Sequence, residues 1–366
     1  MQKPREPLPE QWENDEIDRF VHTHTHGHLF QSSLWSQLKE DWISHTLVVR
    51  DARENIVGSM CVRIRRFKGL PLTMMYASRG PVCDWHDAGV LRALTQQAQD
   101  LARSYRAVSL KIDPPVPRED RTFCEIMRAL GYRANESAID WEGVQPRTLM
   151  RIELCGKTEQ MVWNRFSQKH RYNTRLAIKR GVTVREGTRA DIPAFYELMR
   201  QTGARNGFAI RAQSYFERMY DALNEKGAGV LLLAYDAQKR CVAALWGSVF
   251  AGQGMYLYGA SANQGRSCMA TYLLQWEMIR ICMQRGARTY DLRGVPTGLT
   301  ADHPLGGLYR FKKGFGGTAL TTVGEWDYVY HPFWHTCVYT MVRWHKKWCK
   351  WRSRRGHGRR MDTPAQ

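Results

Sequence analysis

Asp113 stands in the run LKIDPP, at the end of an apolar stretch and directly before two prolines. Proline cannot donate to a sheet ladder, so a strand stops there, and the ends of strands are where layered folds carry chemistry. A carboxylate in that place could carry such chemistry, or could cap a turn through an Asx motif. A second stretch, LYRFKKGFGG at 308–317, sets Arg310, Lys312 and Lys313 among Tyr309, Phe311 and Phe315, with glycines at 314, 316 and 317. That many glycines disfavour a helix. A phosphate, a nucleic-acid strand or nothing could occupy it. The phosphate loop fails on spacing, because its glycines should lead into a helix N-terminus and here they follow the lysines.

The composition bounds the partners of such residues. The chain has 366 residues, room for two or three domains, and 43% hydrophobic content, enough for a core. Its formal net charge is +19, which favours polyanions: nucleic acid, phosphorylated metabolites or an anionic membrane face. The nine cysteines form no CxxC pair, which points to a reduced, cytoplasmic protein without a disulfide scaffold or zinc site. The alternating histidines of HTHTHGH (22–28) have no cysteine or carboxylate at ligand spacing, so no metal is expected there. The N-terminus lacks the apolar core of a signal peptide, and no run approaches the roughly 20 apolar residues that span a bilayer.

The elements that must position these residues follow from periodicity. A helix is expected from about Asp15 to the histidines, and another over SSLWSQLKEDW with Ser32 or Ser33 as its cap. HTLVVRDARENIVGSMCVRIRRF reads as two strands around a polar turn, followed by the strand LTMMYASRGPV. The helix AGVLRALTQQAQDLARSY and the strand AVSLKIDPPV complete a unit. The same order recurs in GVLLLAYDAQKRCVAALWGSVFAG, GMYLYGASAN, MATYLLQWEMIRICMQRG and ARTYDLRGVP. This is an internal duplication seen through pattern, and it predicts two similar α+β domains with mixed sheets covered by helices. Between the copies lie a basic helix at about 158–180, a helix capped by Thr188, and a helix from SYFERM that closes at Gly227. The C-terminal HPFWHTCVYTMVRWHKKWCKWRSRRGHGRR is aromatic, then strongly basic. It reads either as a last helix with a solvated tail or as a membrane-surface or nucleic-acid contact.

The order of elements resembles the acyltransferase fold of GCN5-related enzymes. The pyrophosphate loop of those enzymes is missing: in SANQGRSCMA, Ser267 and Met269 stand at the glycine positions counted from Gln264. More specifically, the stretches FQSSLWSQLK, YASRGPV, LKIDPPV, RYNTRLAIKRGVTVREG, MYLYGASANQGR, YLLQWEMIR, YDLRGV and GLYRFKKGFGG…VGEWDYV resemble the FemABX family of peptidoglycan-bridge aminoacyltransferases. They run in family order from about residue 30 to 333. The chain resembles the compact members, because the segment after Arg211 is too short for the long helical arm that others carry.

The resemblance implies roles, residue by residue. Lys39 and Arg211 grip the diphosphate of a precursor, with Tyr215 beside Arg211 on one helical face and Tyr256 lining the same groove. On residue type alone Lys39 could be a solvated helix lysine and Tyr256 an ordinary strand aromatic. Asp113 orients the attacking amine and assists its deprotonation, and Glu325 in VGEWD is a second acidic site residue. An ordinary carboxylate is a weak base for an ammonium whose pKa is about 10.4, unless burial raises the carboxyl. Lys312 is the candidate partner of the oxyanion formed on an attacked ester, and Phe311 the candidate platform for the terminal adenosine of a tRNA.

The expected architecture is therefore α+β, with two tandem GCN5-related N-acetyltransferase-like domains. Residues 1–148 plus about 320–345 form the first, 149–319 the second, and 346–366 a basic tail. The expected activity is transfer of an amino acid from aminoacyl-tRNA to the side-chain amine of stem-peptide residue 3 of a peptidoglycan precursor, lipid II or UDP-MurNAc-pentapeptide. No cofactor and no metal is expected, and the protein is expected to be a cytoplasmic monomer that touches the inner face of the membrane. Transfer to another amine, a non-catalytic RNA-binding role and ordinary acyl-CoA transfer stay open on residue types alone.

Overall fold

The computed structural model describes residues 15–67, 69–135, 144–296 and 305–341. The basic tail at 346–366 lies outside them. Asp15 caps α1 (Glu16–Thr23), its carboxylate accepting from the N–H groups of Ile17 and Asp18. Ser32 caps α2 (Ser33–Ser36), a single turn that gives way to tight turns through Trp42. Lys39 thus follows a helix instead of riding on one.

The first sheet uses β1 (Ile43–Arg50), β2 (Ile56–Arg66), β3 (Thr73–Ala77) and β4 (Val82–Cys83). After α3 (Ala88–Tyr105) come β5 (Ala107–Ile112), α4 (Arg121–Ala129) and β6 (Arg133–Ala134). The second half opens with β7 (Thr148–Glu153), α5 (Glu159–Asn164), α6 (Gln168–Lys179) and β8 (Thr183–Glu186). It continues through α7 (Ile192–Asn206), α8 (Gln213–Met219), β9 (Gly229–Tyr235), β10 (Cys241–Phe250) and β11 (Gln253–Ser261). Then follow α9 (Ala270–Gln284), β12 (Thr289–Gly294), α10 (Gly306–Lys313) and β13 (Thr318–Thr321). The chain returns to the first sheet as β14 (Trp326–Val329) and enters a helix over 332–341, α11.

Both sheets are seven-stranded and mixed, ordered β1-β2-β3-β5-β14-β6 with β4 on β2, and β13-β7-β12-β11-β10-β9-β8. Each contains one parallel pair, β3 with β5 and β11 with β12. Each pair is crossed by a helix, α3 or α9, as a parallel connection requires. The duplicated unit is thus β1-β2-β3-α3-β5 and β9-β10-β11-α9-β12. In the second copy the ladder holds only from Gln253/Thr289 to Met255/Asp291. Beyond it β11 and β12 part, and their mouth faces α10.

One apolar cluster packs the first sheet on α3 and α4. A second packs one face of the other sheet on α9. A third covers that sheet's opposite face with α7, α8 and residues of the N-terminal segment, among them Val21, Phe30 and Trp35. That segment, first in sequence, therefore shares the core of the second sheet. Its Gln31, 2% exposed, reaches the first sheet instead: Nε2 donates to the Ser78 carbonyl at 2.7 Å, and Oε1 accepts from Cys61 N–H at 2.8 Å. His26 stacks on Trp85 of the first domain, while His22 meets Phe250 of the second. The histidine run is a stitch between domains.

Two further elements differ from expectation. Residues 306–313 of the stretch around LYRFKK are helical. The glycines that argued against a helix flank it: Gly306 and Gly307 open it, Gly314 caps it, and Gly316 turns the chain at φ +76°. Gly314 is required, since a Cβ there would meet the His170 ring at 1.8 Å. The basic helix expected at about 158–180 breaks between Asn164 and Gln168, where Ser167 N–H donates to the Gly314 carbonyl at 2.8 Å. The break and the end of α10 are one contact.

If Gln31 stitches the halves, Gln31→Ala leaves a buried N–H and a carbonyl without partners and should cost on the order of 3 kcal/mol. Urea unfolding with unchanged slope would show it; a loss below about 1 kcal/mol would mean that apolar packing alone joins the halves.

Candidate active site

The polar face of the first sheet is built by alternation. On β5, Leu110 and Ile112 enter the core, so Lys111 and Asp113 project to the other side. Arg63 of β2 pairs with Tyr76 of β3, and Tyr76 with Lys111 of β5. Ile112 pairs with Trp326 of β14, which puts Asp113 beside Glu325 at the strand ends.

Asp113 is 2% exposed. Its Oδ1 accepts from the backbone N–H of Arg79 at 2.7 Å and its Oδ2 from Tyr76 Oη at 3.1 Å, with Arg79 Nε 3.9 Å away. Burial pushes its carboxyl up to about 6, against the Arg79 charge that lowers it, and Glu325 adds to the rise. Glu325 is held differently. Lys111 Nζ donates to it at 2.7 Å and to Asp327 at 3.0 Å, and Val144 N–H donates to its other oxygen.

Lys312 lies on α10, 4% exposed, with Nζ donating to the Gly294 carbonyl at 2.7 Å. Burial lowers its ammonium to about 8; Asp291 partly opposes this and Arg293 adds to it. Phe311, half-buried, stands edge-on to Tyr272 and Phe315 at 5.3 and 5.1 Å between ring centres. Its carbonyl accepts from His170 Nε2 at 2.9 Å, which fixes α10 against α6. Lys313 points outward over the Tyr309 ring.

A third group forms where the N-terminal segment meets α8. Lys39 Nζ and Arg211 Cζ lie 5.9 and 5.5 Å from the centre of the Tyr215 ring. Burial lowers Lys39 to about 8, and the Arg211 and Arg63 charges add to it. Among the described residues neither cation has a carboxylate partner. Arg211 lies ahead of the α8 cap, Ala212, so it meets Tyr215 across the helix start and not along one helical face. Tyr256 is not brought to this group. It packs into the core with α9, beside Gln275, while Tyr258 Oη donates to Tyr215 Oη at 3.3 Å. A bulge in β11 explains the exchange: Trp246 pairs with Tyr258 and Gly247 with Tyr256, so Leu257 is extra and the two tyrosines face opposite ways.

Three arginines connect the groups, and sequence reasoning passed over them. Arg63 sits between Lys39 and Asp113. Arg79 is 3% exposed with φ +58°, and its Nη2 donates to the Pro146 carbonyl at 3.2 Å. Arg293 has φ +67°, stacks on Phe30, and donates to Gln145 Oε1 at 2.9 Å. Arg79 and Arg293 each stand in a Tyr-x-x-Arg-Gly run, at 76–80 and 290–294. Left-handed arginines are uncommon and persist only where their surroundings over-determine them. That repeated run was the available signal.

The arrangement offers a half-neutralised carboxylate for an amine, a buried ammonium for a developing anion, and an unpaired lysine–arginine fork for a phosphate group. Lys312 also yields a stability prediction. Its folded value, about 8, is below the ordinary 10.5, so the fold disfavours the charged form. Stability falls as pH drops from 10.5 to 8 and stays lowered below that, by roughly 3 kcal/mol. Lys312→Met removes that cost and orphans one carbonyl, so thermal melting at pH 7 should change stability by less than about 1 kcal/mol. A loss above about 3 kcal/mol would make Lys312 a structural group.

Known proteins are similar to the chain over most of its length. The FemAB family profile matches residues 12–245 and 234–343. The lipid II:glycine glycyltransferase of Staphylococcus aureus strain USA300 is 30% identical over 387 aligned positions, covering 86% of this chain and 91% of that protein. The crystal structure of FemX superposes with a TM-score of 0.83 at 26% identity, covering 92% of this chain and all of that one. A tandem GNAT protein of clavulanic acid biosynthesis shares the fold at a TM-score of 0.51 and 13% identity, over 87% of this chain and 97% of its own. With both acyltransferase-like halves, and the strand ends that carry the polar residues, inside the matched length, the chain belongs to the FemAB family.

Proposed function

We propose that the protein moves an amino acid from aminoacyl-tRNA to the side-chain amine of the third stem residue of a peptidoglycan precursor. The observation that carries this reading is a chain of buried charges where the two sheets meet: Arg63 lies near both Lys39 and Asp113, and Arg79, which holds Asp113, lies near Arg293, itself a neighbour of Lys312. A lysine and an arginine without carboxylate partners suit a diphosphate. The relative's printed name, lipid II:glycine glycyltransferase, supports a peptidoglycan acceptor.

In the proposed step the amine nitrogen attacks the ester carbonyl carbon. The π electrons move to oxygen, and the Lys312 ammonium meets the charge that forms there. Collapse restores the carbonyl and breaks the bond to the ribose oxygen. Asp113 holds the amine and relays its proton, which leaves on the ribose hydroxyl. Glu325, tied to Lys111, stands beside Asp113 and adds to the rise of its carboxyl. Phe311 offers a ring face to the terminal adenine. The precursor would lie across the first domain and the cleft, and the tRNA end along the second domain.

The same reading places the protein at the inner face of the cytoplasmic membrane when the precursor is lipid-linked. Among the described residues no helix is long and apolar enough to cross a membrane. Phe333 and Trp334 of α11 are 70% and 40% exposed, and the sequence continues into WHKKWCKWRSRR. Aromatic and basic residues together suit an anionic lipid surface. Co-sedimentation with vesicles rich in anionic lipid, lost in Phe333→Ser/Trp334→Ser, is the expected result; equal sedimentation with neutral vesicles would contradict it.

The transfer itself is tested with labelled aminoacyl-tRNAs and nucleotide-linked or lipid-linked precursor. Label on the precursor is expected. No label on either, across several charged tRNAs, overturns the reading. Asp113 acts ionised, so the rate should rise as pH passes about 6; Lys312 acts protonated, so it should fall as pH passes about 8. Asp113→Asn should remove the acid limb with about 10²–10⁴-fold of the rate. Lys312→Met should remove about 10²–10³-fold.

A further inference from the structure

Four guanidinium groups surround one buried imidazole where the two sheets meet. His28 is 4% exposed and stays neutral, first through burial, then through the charges of Arg79, Arg293, Arg151 and Arg63. These come from the turn after β3, the end of β12, β7 and β2. Carboxylates are scarcer. Asp113 engages Arg79. Asp291 pairs with Arg151 in the β12–β7 register and accepts from the Arg293 N–H at 2.6 Å.

Arg63, 3% exposed, lies near Asp113 but among the described residues has no carboxylate in ion-pair contact. Its Nη2 donates to the Phe30 carbonyl at 2.6 Å, the Cys61 thiol lies beside it, and its Nε has no hydrogen-bond partner. The Arg151 Nε also has none. Among the described residues the Arg293 side chain meets the Gln145 amide oxygen, the Met255 sulfur at 3.2 Å and the face of Phe30. A buried cation lacking an anion is costly in the free protein, and the arginine fork fits a planar carboxylate. Lys39 and Arg211, at the Tyr215 ring, account for the diphosphate and leave this inner surplus unexplained.

Beside the surplus stands Asp113. An acid set against uncompensated guanidiniums is the charge complement of a zwitterion. We propose that the acceptor amine carries a carboxylate on its own carbon, as a diaminopimelate side chain does and a lysine side chain does not, with Arg63 and Arg293 binding that carboxylate while Asp113 takes the ammonium. This rests on the reading of the cleft as the acceptor site, and it names the acceptor class.

The test uses three nucleotide-linked stem peptides that differ only at the third residue: diaminopimelate, its side-chain carboxamide, and lysine. Binding to the full chain is measured by calorimetry. The diaminopimelate peptide should bind at least about tenfold more tightly than either other, the scale of one charge-assisted hydrogen-bond pair. The preference should shrink in Arg293→Met and in Arg63→Met. Should either variant fail to fold, the wild-type comparison of carboxylate with carboxamide decides alone. Equal binding of all three, or tighter binding of lysine, overturns the inference whether or not transfer occurs. A binding preference without transfer to any of the three supports the inference on the acceptor and overturns the transfer reading.

Discussion

The site depends on one buried contact, Arg79 against Asp113. The arginine engages the acid through its backbone N–H and its guanidinium, and its far end holds the Pro146 carbonyl where the chain passes between domains. One side chain thus fixes the carboxylate, shapes the turn after β3 and anchors the connection. Breaking such a buried pair costs about 3–5 kcal/mol, because the survivor is left charged and alone. The contact also explains the moderate rise of the Asp113 carboxyl. Burial alone would drive it further, and Arg79 restrains it near the range where a carboxylate can exchange a proton with an amine.

The second domain repeats the device with different chemistry. Arg293, like Arg79, is left-handed and precedes a glycine, and its backbone N–H also serves a buried aspartate, Asp291. Lys312 of α10 donates to the carbonyl of the next residue, Gly294. The two halves thus each bury a charged group at a strand end, although Arg79 follows β3 and Arg293 ends β12. One presents an acid and the other a buried ammonium, and the N-terminal segment closes the space between them with Phe30 under Arg293 and His28 among the arginines. The cleft carries more positive than negative charge. Burying unmatched positive charge there costs stability in the free protein.

Much of the fold is legible in the amino-acid order, because alternation and turn residues set it locally. The repeat of strand, turn, strand, strand, helix and strand follows from periodicity alone. The helix 306–313 was hidden because a glycine count is blind to position: the glycines flank the helix, and Gly314 answers to His170, far away in sequence. Tyr256 and Tyr258 differ through a bulge that no parity rule sees. Arg63, Arg79 and Arg293 were missed because an arginine in a strand or beside a glycine looks like a solvated charge. Its burial is decided by the other domain. The Lys39, Arg211 and Tyr215 grouping was available only through resemblance, since nothing local draws residue 39 to residue 211.

The most direct measurement is a crystal structure of the protein with nucleotide-linked precursor bound. The account predicts the diphosphate between Lys39 and Arg211 over Tyr215, with the third-residue amine within hydrogen-bond distance of Asp113. A precursor seated elsewhere, with Asp113 still closed off behind Arg79 and Tyr76, would contradict it.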